Sequence, residues 1–578
     1  MATVLRMRVG TAAMLRTRHS PGARRMVWSG ASKLPQIKNE PFLHYAPGSA
    51  ERAALQDELE RLDKQASEDP LRVPCIVDGK DVWTGVAVRQ PMPHHHEKSI
   101  CVYDELDEGT VKSAIDGAMR AKTQWASWPQ DERNAVFLKA ADLLAGKYRQ
   151  RLNAAVMLGQ GKTAWQAEID AAVETIDFWR FAARWAEHIH AWQPPENSPG
   201  VWNRMEYRPL EGFVSCITPF NFIAITANLP SSPVIMGNVA LMKPAENATH
   251  AAYIVYDILR EAGLPDGVIQ FLPGNGKIYS EATLTSPDFA AVHFTGSTAV
   301  FNQIWRDVGE RLDTYKSYPR IVGETGGKNF HVVHHSADLE NVLHATIRGA
   351  FEYQGQKCSA TSRMYVPRSL WPQLRQKLVE QVEKVSMGSP MDFRNFMTAV
   401  INERAFMRVQ GYIERARASS DAHIICGGVA DMSKGYFIAP TIIETTNPHY
   451  ETMEQEIFGP VLTVYPYDDS VDAEQSFEAV LHLVNQTSGY ALTGSIFARD
   501  RAAILKASDT LRDAAGNFYI NNQSTGSIVS QQPFGGSRRS GTNDKSGSPV
   551  NLMRWVSPRS VKESFTGLPG WSYPHMDA

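Results

Sequence analysis

Three side chains in this sequence carry chemistry, each in a turn marked by glycine or proline. Cys358 stands in GQKCSA (355–360), flanked by Gly355, Lys357 and Ser359 rather than by an apolar stripe. A neighbouring cation and free backbone amides lower a thiol pKa and favour the nucleophilic thiolate. A solitary cysteine is also at home as a small buried hydrophobe. Glu324, in GETGGKN (323–329), follows a short β-like run and enters a glycine-rich turn. A carboxylate there suits a general base, and equally a cap for turn amides. Asn221, in TPFNF (218–222), follows the apolar run 212–217. Its amide could stabilise an oxyanion or close an Asx turn.

Two further motifs stand at strand ends. In LMKPAE (241–246), Lys243 and Glu246 could bond ribose hydroxyls. In FTGS (294–297), Gly296 and Ser297 put amides and a hydroxyl at a helix N-terminus, where a diphosphate sits well.

These turns need a scaffold, and the periodicity supplies one. Val111, Ala114, Ile115 and Ala118 share a helical face, and Trp128-Pro129 interrupts it. Asp131 and Glu132 open a second helix, with Val136, Ala140, Leu143 and Leu144 on its apolar side. A third covers 165–190 and ends before Pro194-Pro195. Apolar β runs then follow at 212–217, 239–242, 268–272 and 290–294, with helical stretches such as 248–262 between them. Such alternation predicts an α/β fold with parallel sheets. A change of style at 320–324 predicts a second α/β unit from 322. Residues 31–100, Pro-rich and short-patterned, read as an arm with some strands. The last thirty residues read as a docking arm.

The 578 residues carry a net charge of −3, and the first thirty hold six Arg and no acid. The remainder, with 53 basic against 62 acidic residues, has no electrostatic reason to bind nucleic acid. No apolar run reaches eighteen residues, so no helical membrane span is expected. Residues 1–30, basic and rich in Ala, Thr and Ser, have the composition of a mitochondrial targeting peptide. Five cysteines, odd in number and widely spaced, predict neither a disulfide framework nor a zinc site. The sequons at Asn247, Asn485 and Asn522 are chance matches in a chain of that address.

Four distractors are set aside. Gly159-Gln-Gly-Lys-Thr163 hints at a phosphate loop, but Val156 stands where the Walker pattern requires Gly. Gly274-Asn-Gly276 lacks the third glycine of a dinucleotide fingerprint. His94-His-His96 reads as a solvated loop, and His334-His335 has no ligand spacing; no metal ligand set is expected.

Taken in order, TPFNF, LMKPAE, FTGS, GETGGKN, GQKCSA, EIFGP (456–460) and PFGG (533–536) resemble the aldehyde dehydrogenase superfamily over about residues 100–545. The resemblance implies a Rossmann-type NAD-binding domain (212–321), preceded by an arm and helical part (31–196). It further implies a catalytic domain (322–530) and oligomerisation strands at 197–211. An anchor-adjacent segment and C-terminal arm would fill 531–578. Cys358 would be the nucleophile, Glu324 the base and Asn221 an oxyanion donor. Thr218, Lys243, Glu246, Gly296, Ser297 and Glu456 would contact NAD, with Phe458 beside the nicotinamide.

The runs 517–528 and 532–545 resemble the branch of this family that acts on glutamate γ-semialdehyde. That resemblance implies a substrate carboxylate held by Ser359, Gly526 and Ser527, with Phe534 packing over the carbon chain. Two hydroxyls and adjacent amides do make a small anion seat. The sequence departs from the branch at Ser537-Arg-Arg-Ser540 and in an insertion near 467–476. The activity implied is NAD-dependent oxidation of glutamate γ-semialdehyde to glutamate in the mitochondrial matrix, by a homodimer or larger homo-oligomer. The alternatives are a dehydrogenase of another semialdehyde and a non-catalytic binding protein on the same fold. Glu246 favours NAD over NADP, because a carboxylate at the ribose repels a 2′-phosphate.

Overall fold

The computed structural model describes residues 33–576; the basic segment 1–30 lies outside them. Two seven-stranded sheets dominate. The first runs, edge to edge, Arg320–Glu324, Phe289–Thr295, Phe213–Ile217, Val239–Lys243, Ile269–Phe271, Cys75–Val77 and Lys80–Val82. Its first five strands are parallel and its last two join antiparallel. Parallel strands are covered by helices on both faces, which is why Phe213–Ile217 and Val239–Lys243 read as unbroken apolar runs.

The parallel part of this sheet starts in its middle. The chain moves from Phe213–Ile217 through Val239–Lys243 to Ile269–Phe271, then crosses back to Phe289–Thr295 on the other flank. The crevice between Phe213–Ile217 and Phe289–Thr295 is therefore the topological switch point, where open α/β sheets bind ligands beyond their strand carboxyl ends. Thr218, Lys243, Gly296 and Glu324 all stand at such ends.

The second sheet orders Ala422–Cys426, Thr441–Thr445, Val461–Tyr467, Thr361–Pro367, Asn329–Val333, Thr493–Phe497 and Asn517–Ile520, all parallel except the first pair. Cys358 lies just before the strand Thr361–Pro367. Away from both sheets, Val201–Pro209 pairs antiparallel with Val556–Ser564 as a two-stranded ribbon.

The first three predicted helices are present, the third as one continuous run over Ala164–Ala191 with a π-turn at Glu168–Glu174. Two expectations need correction. The segment 31–100 holds a long helix, Ala50–Glu68, capped by Ser49 and buried through Leu55, Leu59, Leu62 and Ala66. Its Cys75–Val77 and Lys80–Val82 strands extend the first sheet rather than an arm. The break placed at 321/322 falls inside the strand Arg320–Glu324, which pairs with Phe289–Thr295; the second sheet begins at Asn329.

Candidate active site

Glu324 ends the edge strand of the first sheet, and the turn GETGGKN carries the chain to the second. Its carbonyl accepts from the Gly296 amide at 3.2 Å, and its carboxylate from the Gly536 amide at 3.4 Å. The run 540–542 clasps this strand end. The Thr542 amide donates to the Gly323 carbonyl, the Thr542 hydroxyl accepts from the Gly323 amide, and the Thr325 amide donates to the Ser540 carbonyl, all at 2.9 Å. Ser540 is buried and accepts from the Ala491 amide, whereas Arg538 and Arg539 are exposed. The departure at 537–540 thus keeps its guanidinium groups outside the clasp. Burial pushes the Glu324 carboxyl well above the usual carboxylate range, against the pull of the Gly536 amide and Lys545.

The GETGGKN glycines are required by close approach. A Cβ on Gly327 would overlap the Cys358 carbonyl, and one on Gly326 the Glu456 carboxylate. Glu456 accepts from the Gly327 amide at 2.9 Å, and burial raises it to about 7. Asn329 pins the Cys358 loop: its amide donates at 2.8 Å to both the Cys358 and Ala360 carbonyls. That loop begins with three consecutive left-handed residues, Tyr353, Gln354 and Gly355.

The Cys358 thiol is pushed up to about 12, first by burial, then by the Glu324 and Glu456 carboxylates, with the Ser359 and Cys358 amides opposing. The cation expected beside it is elsewhere, because Lys357 pairs with Glu352 at 3.0 Å. Asn221 is buried, and its amide donates to the Gln356 carbonyl at 3.1 Å, which ties it to the Cys358 loop. Its second N–H is left for an incoming oxygen.

The cofactor candidates line the switch-point crevice. The Thr218 hydroxyl is buried without a hydrogen-bond partner, the state of a group awaiting a ligand. Burial lowers Lys243 to about 8 against the Glu246 and Glu105 carboxylates, and Glu246 itself is exposed in the turn Glu246–Ala248. Gly296 precedes the helix Thr298–Gly309, whose N-cap is Ser297. The Ser297 oxygen accepts from the Val300 amide at 3.4 Å, which leaves its O–H to donate outward. Phe458, at φ +55°, meets the Phe220 ring edge-on at 5.9 Å. An orphaned hydroxyl, an open helix N-terminus and a buried lysine near an exposed carboxylate fit a dinucleotide.

Ser359 shares a hydrogen bond of 2.8 Å with Thr525, next to Gly526 (φ +90°) and Ser527. The Ser524 hydroxyl donates to the Ser359 carbonyl at 3.0 Å. Phe534 exchanges two backbone bonds with Ser546, which fixes the loop that carries Gly536 to Glu324. Sequence reasoning missed Thr525, Asn329, Lys545 and Tyr519. Tyr519 has a buried hydroxyl beside Ser527 and Asn517 without an aligned partner. Asn329, the last letter of GETGGKN, was open to notice; the others had no local signal.

Each distractor has a structural explanation. Gly161 is the left-handed cap of the helix Arg149–Gln160, and Asn275 caps Gly276–Leu284. The His94–His96 turn is not solvated: His94 is buried, and the turn packs on 432–436 through bonds from His96 to Lys434 and from Tyr436 to Pro93. His334, His335 and Glu474 do come within ligand distance of one another. Two Ser336 donors, its N–H and its O–H, reach His334 Nδ1, because the Ser336 oxygen already accepts from Arg499 and Asp500. The proton therefore sits on Nε2, facing Glu474, where a metal would have to bind. All five cysteines are free thiols. Among the described residues no helix is long and apolar enough to cross a membrane.

Known proteins are similar to this chain in sequence and fold. Residues 78–561 match the aldehyde dehydrogenase family. A Δ1-pyrroline-5-carboxylate dehydrogenase of Agaricus bisporus is 51% identical over 94% of this chain and 98% of its own length. The mitochondrial protein of that name from Homo sapiens is 46% identical over 95% and 96%. The crystal structure of the Mycobacterium tuberculosis Δ-pyrroline-5-carboxylate dehydrogenase bound with NAD superposes with a TM-score of 0.91 at 44% identity, covering 95% of this chain and all of that one. Matched to that family over residues 78–561, and close in sequence and fold to such relatives over nearly its whole length, the chain belongs to the aldehyde dehydrogenase family.

Proposed function

We propose that the protein oxidises L-glutamate γ-semialdehyde, the hydrolysed form of Δ1-pyrroline-5-carboxylate, to L-glutamate with NAD⁺, the second step of proline catabolism. One observation carries this reading. Cys358 sits in a loop pinned by Asn329, near enough to the Glu324 and Glu456 carboxylates for them to raise its thiol, while the next residue, Ser359, bonds Thr525 beside Gly526 and Ser527. A nucleophile adjoining an anion seat is what an aldehyde bearing a distal carboxylate requires.

Ser359, Gly526 and Ser527 hold the α-carboxylate and Phe534 packs along the chain, which presents the aldehyde carbon to Cys358 Sγ. The ionised form of Glu324 takes the thiol proton as the C–S bond forms and releases it to solvent before the water step. The Asn221 amide and the Cys358 N–H stabilise the oxyanion; one such donor is worth roughly 10²–10³ in rate. NAD⁺, when bound, supplies the hydride acceptor, and the aldehyde carbon leaves this step as a Cys358 thioester. Thr218, Lys243, Glu246, Gly296, Ser297 and Glu456 hold the dinucleotide, with Phe458 beside the nicotinamide. Glu324, once deprotonated, takes a proton from water, whose oxygen displaces the sulfur and releases the acid.

The address we propose is the mitochondrial matrix, in keeping with the basic N-terminus and with relatives whose names are mitochondrial. We assign cofactor binding to the first sheet, catalysis to the second, and self-association to 197–211 with the C-terminal arm. The test is NADH formation from glutamate semialdehyde, with NAD⁺ and NADP⁺ side by side. Cys358→Ala abolishes it. Ser527→Ala raises KM for glutamate semialdehyde far more than for an uncharged alkyl aldehyde; equal effects on both overturn the carboxylate seat.

A further inference from the structure

The run Gly159–Thr163, no phosphate loop, lies against both loops that bear the reacting groups. Gln160 donates its side-chain amide to the Phe220 carbonyl, one residue before Asn221. Its own carbonyl accepts the Tyr353 hydroxyl at 2.9 Å. The Gly161 carbonyl accepts from Gln354 Nε2 at 3.0 Å and from the Thr398 hydroxyl. Gly161, at φ +70°, supplies the left-handed turn that lets this segment leave its helix there.

Lys162 is fully buried, and its ammonium lies 4.3 Å from the Phe222 ring and 4.1 Å from the Tyr353 ring. One ring belongs to the Asn221 loop, the other to the turn that opens the Cys358 loop. Its ion-pair partner, Asp170 at 3.1 Å, is also fully buried. Asp170 accepts from the Ile223 and Ala224 amides, both at 2.9 Å, and so caps the helix Ile223–Ile235 that begins just after Asn221. A buried lysine is costly unless its contacts compensate it. Here the compensating contacts are Asp170 and one ring from each of the two loops.

We propose that Lys162 is a positioning residue: clamped between Phe222 and Tyr353 and paired with Asp170, it fixes the Asn221 amide relative to Cys358 for oxyanion formation. The inference rests on the reaction proposed above and adds a determinant of its rate. Lys162 touches neither substrate nor dinucleotide. Its removal acts through Asn221, on kcat rather than on the KM for NAD⁺. A displacement of about 1 Å in such a group costs roughly 10²-fold.

The experiment is a double-mutant cycle on the full-length enzyme with glutamate semialdehyde and NAD⁺. It uses Lys162→Met, Asn221→Ala and the pair, with intact sites counted by alkylation of Cys358. Lys162→Met lowers kcat per intact site roughly 10²-fold with KM for NAD⁺ unchanged, and has little further effect once Asn221 is Ala. Tyr353→Phe keeps the ring, loses the bond to Gln160, and gives a smaller fall that also vanishes in the Asn221→Ala background. If Lys162→Met does not fold, the Tyr353→Phe cycle decides. Multiplicative losses in either cycle, or a loss confined to the number of intact sites, overturn the proposal. A wild-type enzyme that makes no NADH overturns the proposed function instead.

Discussion

At the resting site, neither reacting group is in the state its chemistry needs. Burial holds the Cys358 thiol up at about 12 and lifts the Glu324 carboxyl well above its ordinary range. Both groups therefore favour their neutral forms, and each acts only when its proton is taken. Lys545 is the cation that works against this at Glu324. Its ammonium donates at 2.8 Å to the Gly516 carbonyl and at 3.0 Å to the Gly535 carbonyl, the latter in the loop whose Gly536 amide reaches Glu324. Removing that charge leaves Glu324 still harder to ionise. A base must be deprotonated to act, so in Lys545→Met the acid limb of the kcat–pH profile moves to higher pH. Lys545→Arg restores it in part. An unmoved limb in Lys545→Met would show that this charge does not set the affinity of the base.

Among the elements, those covered on both faces were the ones the sequence made plain. The strands Phe213–Ile217, Val239–Lys243 and Phe289–Thr295 are apolar along their length because helices cover both sides. The motifs at their ends then fell into one crevice by topology alone. Ala50–Glu68 escaped notice because its apolar residues are few among many charges, and Pro-rich surroundings masked its period. The turn Tyr353–Gly355 escaped because nothing in Tyr-Gln announces positive φ; tertiary contacts to Gln160 and Gly161 impose it. Lys357 misled for a related reason: adjacency in sequence did not aim its ammonium at the thiol.

Asn329 is the counterpart at the other side of that loop. Besides its two donated bonds, its carbonyl oxygen accepts from the Thr493 amide at 3.0 Å, so one side chain joins three strands of the second sheet. Asn329→Ala leaves the buried Cys358 and Ala360 carbonyls and the Thr493 amide without this partner, a loss of about 2–4 kcal/mol. Urea unfolding reads the stability change directly. Alkylation of Cys358 in the native protein also becomes faster, as the loop loosens. Unchanged stability and alkylation rate would mean that the glycine turn alone holds the loop.

On the scale of the whole molecule, the ribbon of Val201–Pro209 and Val556–Ser564 stands apart from both sheets. Two antiparallel strands alone are marginal in water and leave an unpaired edge on each side. The ribbon also leaves Trp202 exposed, and the chain beyond it exposes Phe565, Leu568 and Trp571. Large exposed side chains on and just beyond such a ribbon are what a surface for another protein surface would present. A second copy is the partner always at hand, and closed symmetry buries the same patch twice. Sedimentation of the wild-type protein at micromolar concentration therefore gives a dimer or larger. Glutamate at Trp202 and at Val561, one on each strand, shifts it toward monomer while the far-ultraviolet spectrum stays native. A wild-type monomer, or an assembly indifferent to Trp202→Glu and Val561→Glu together, would move the interface off this ribbon.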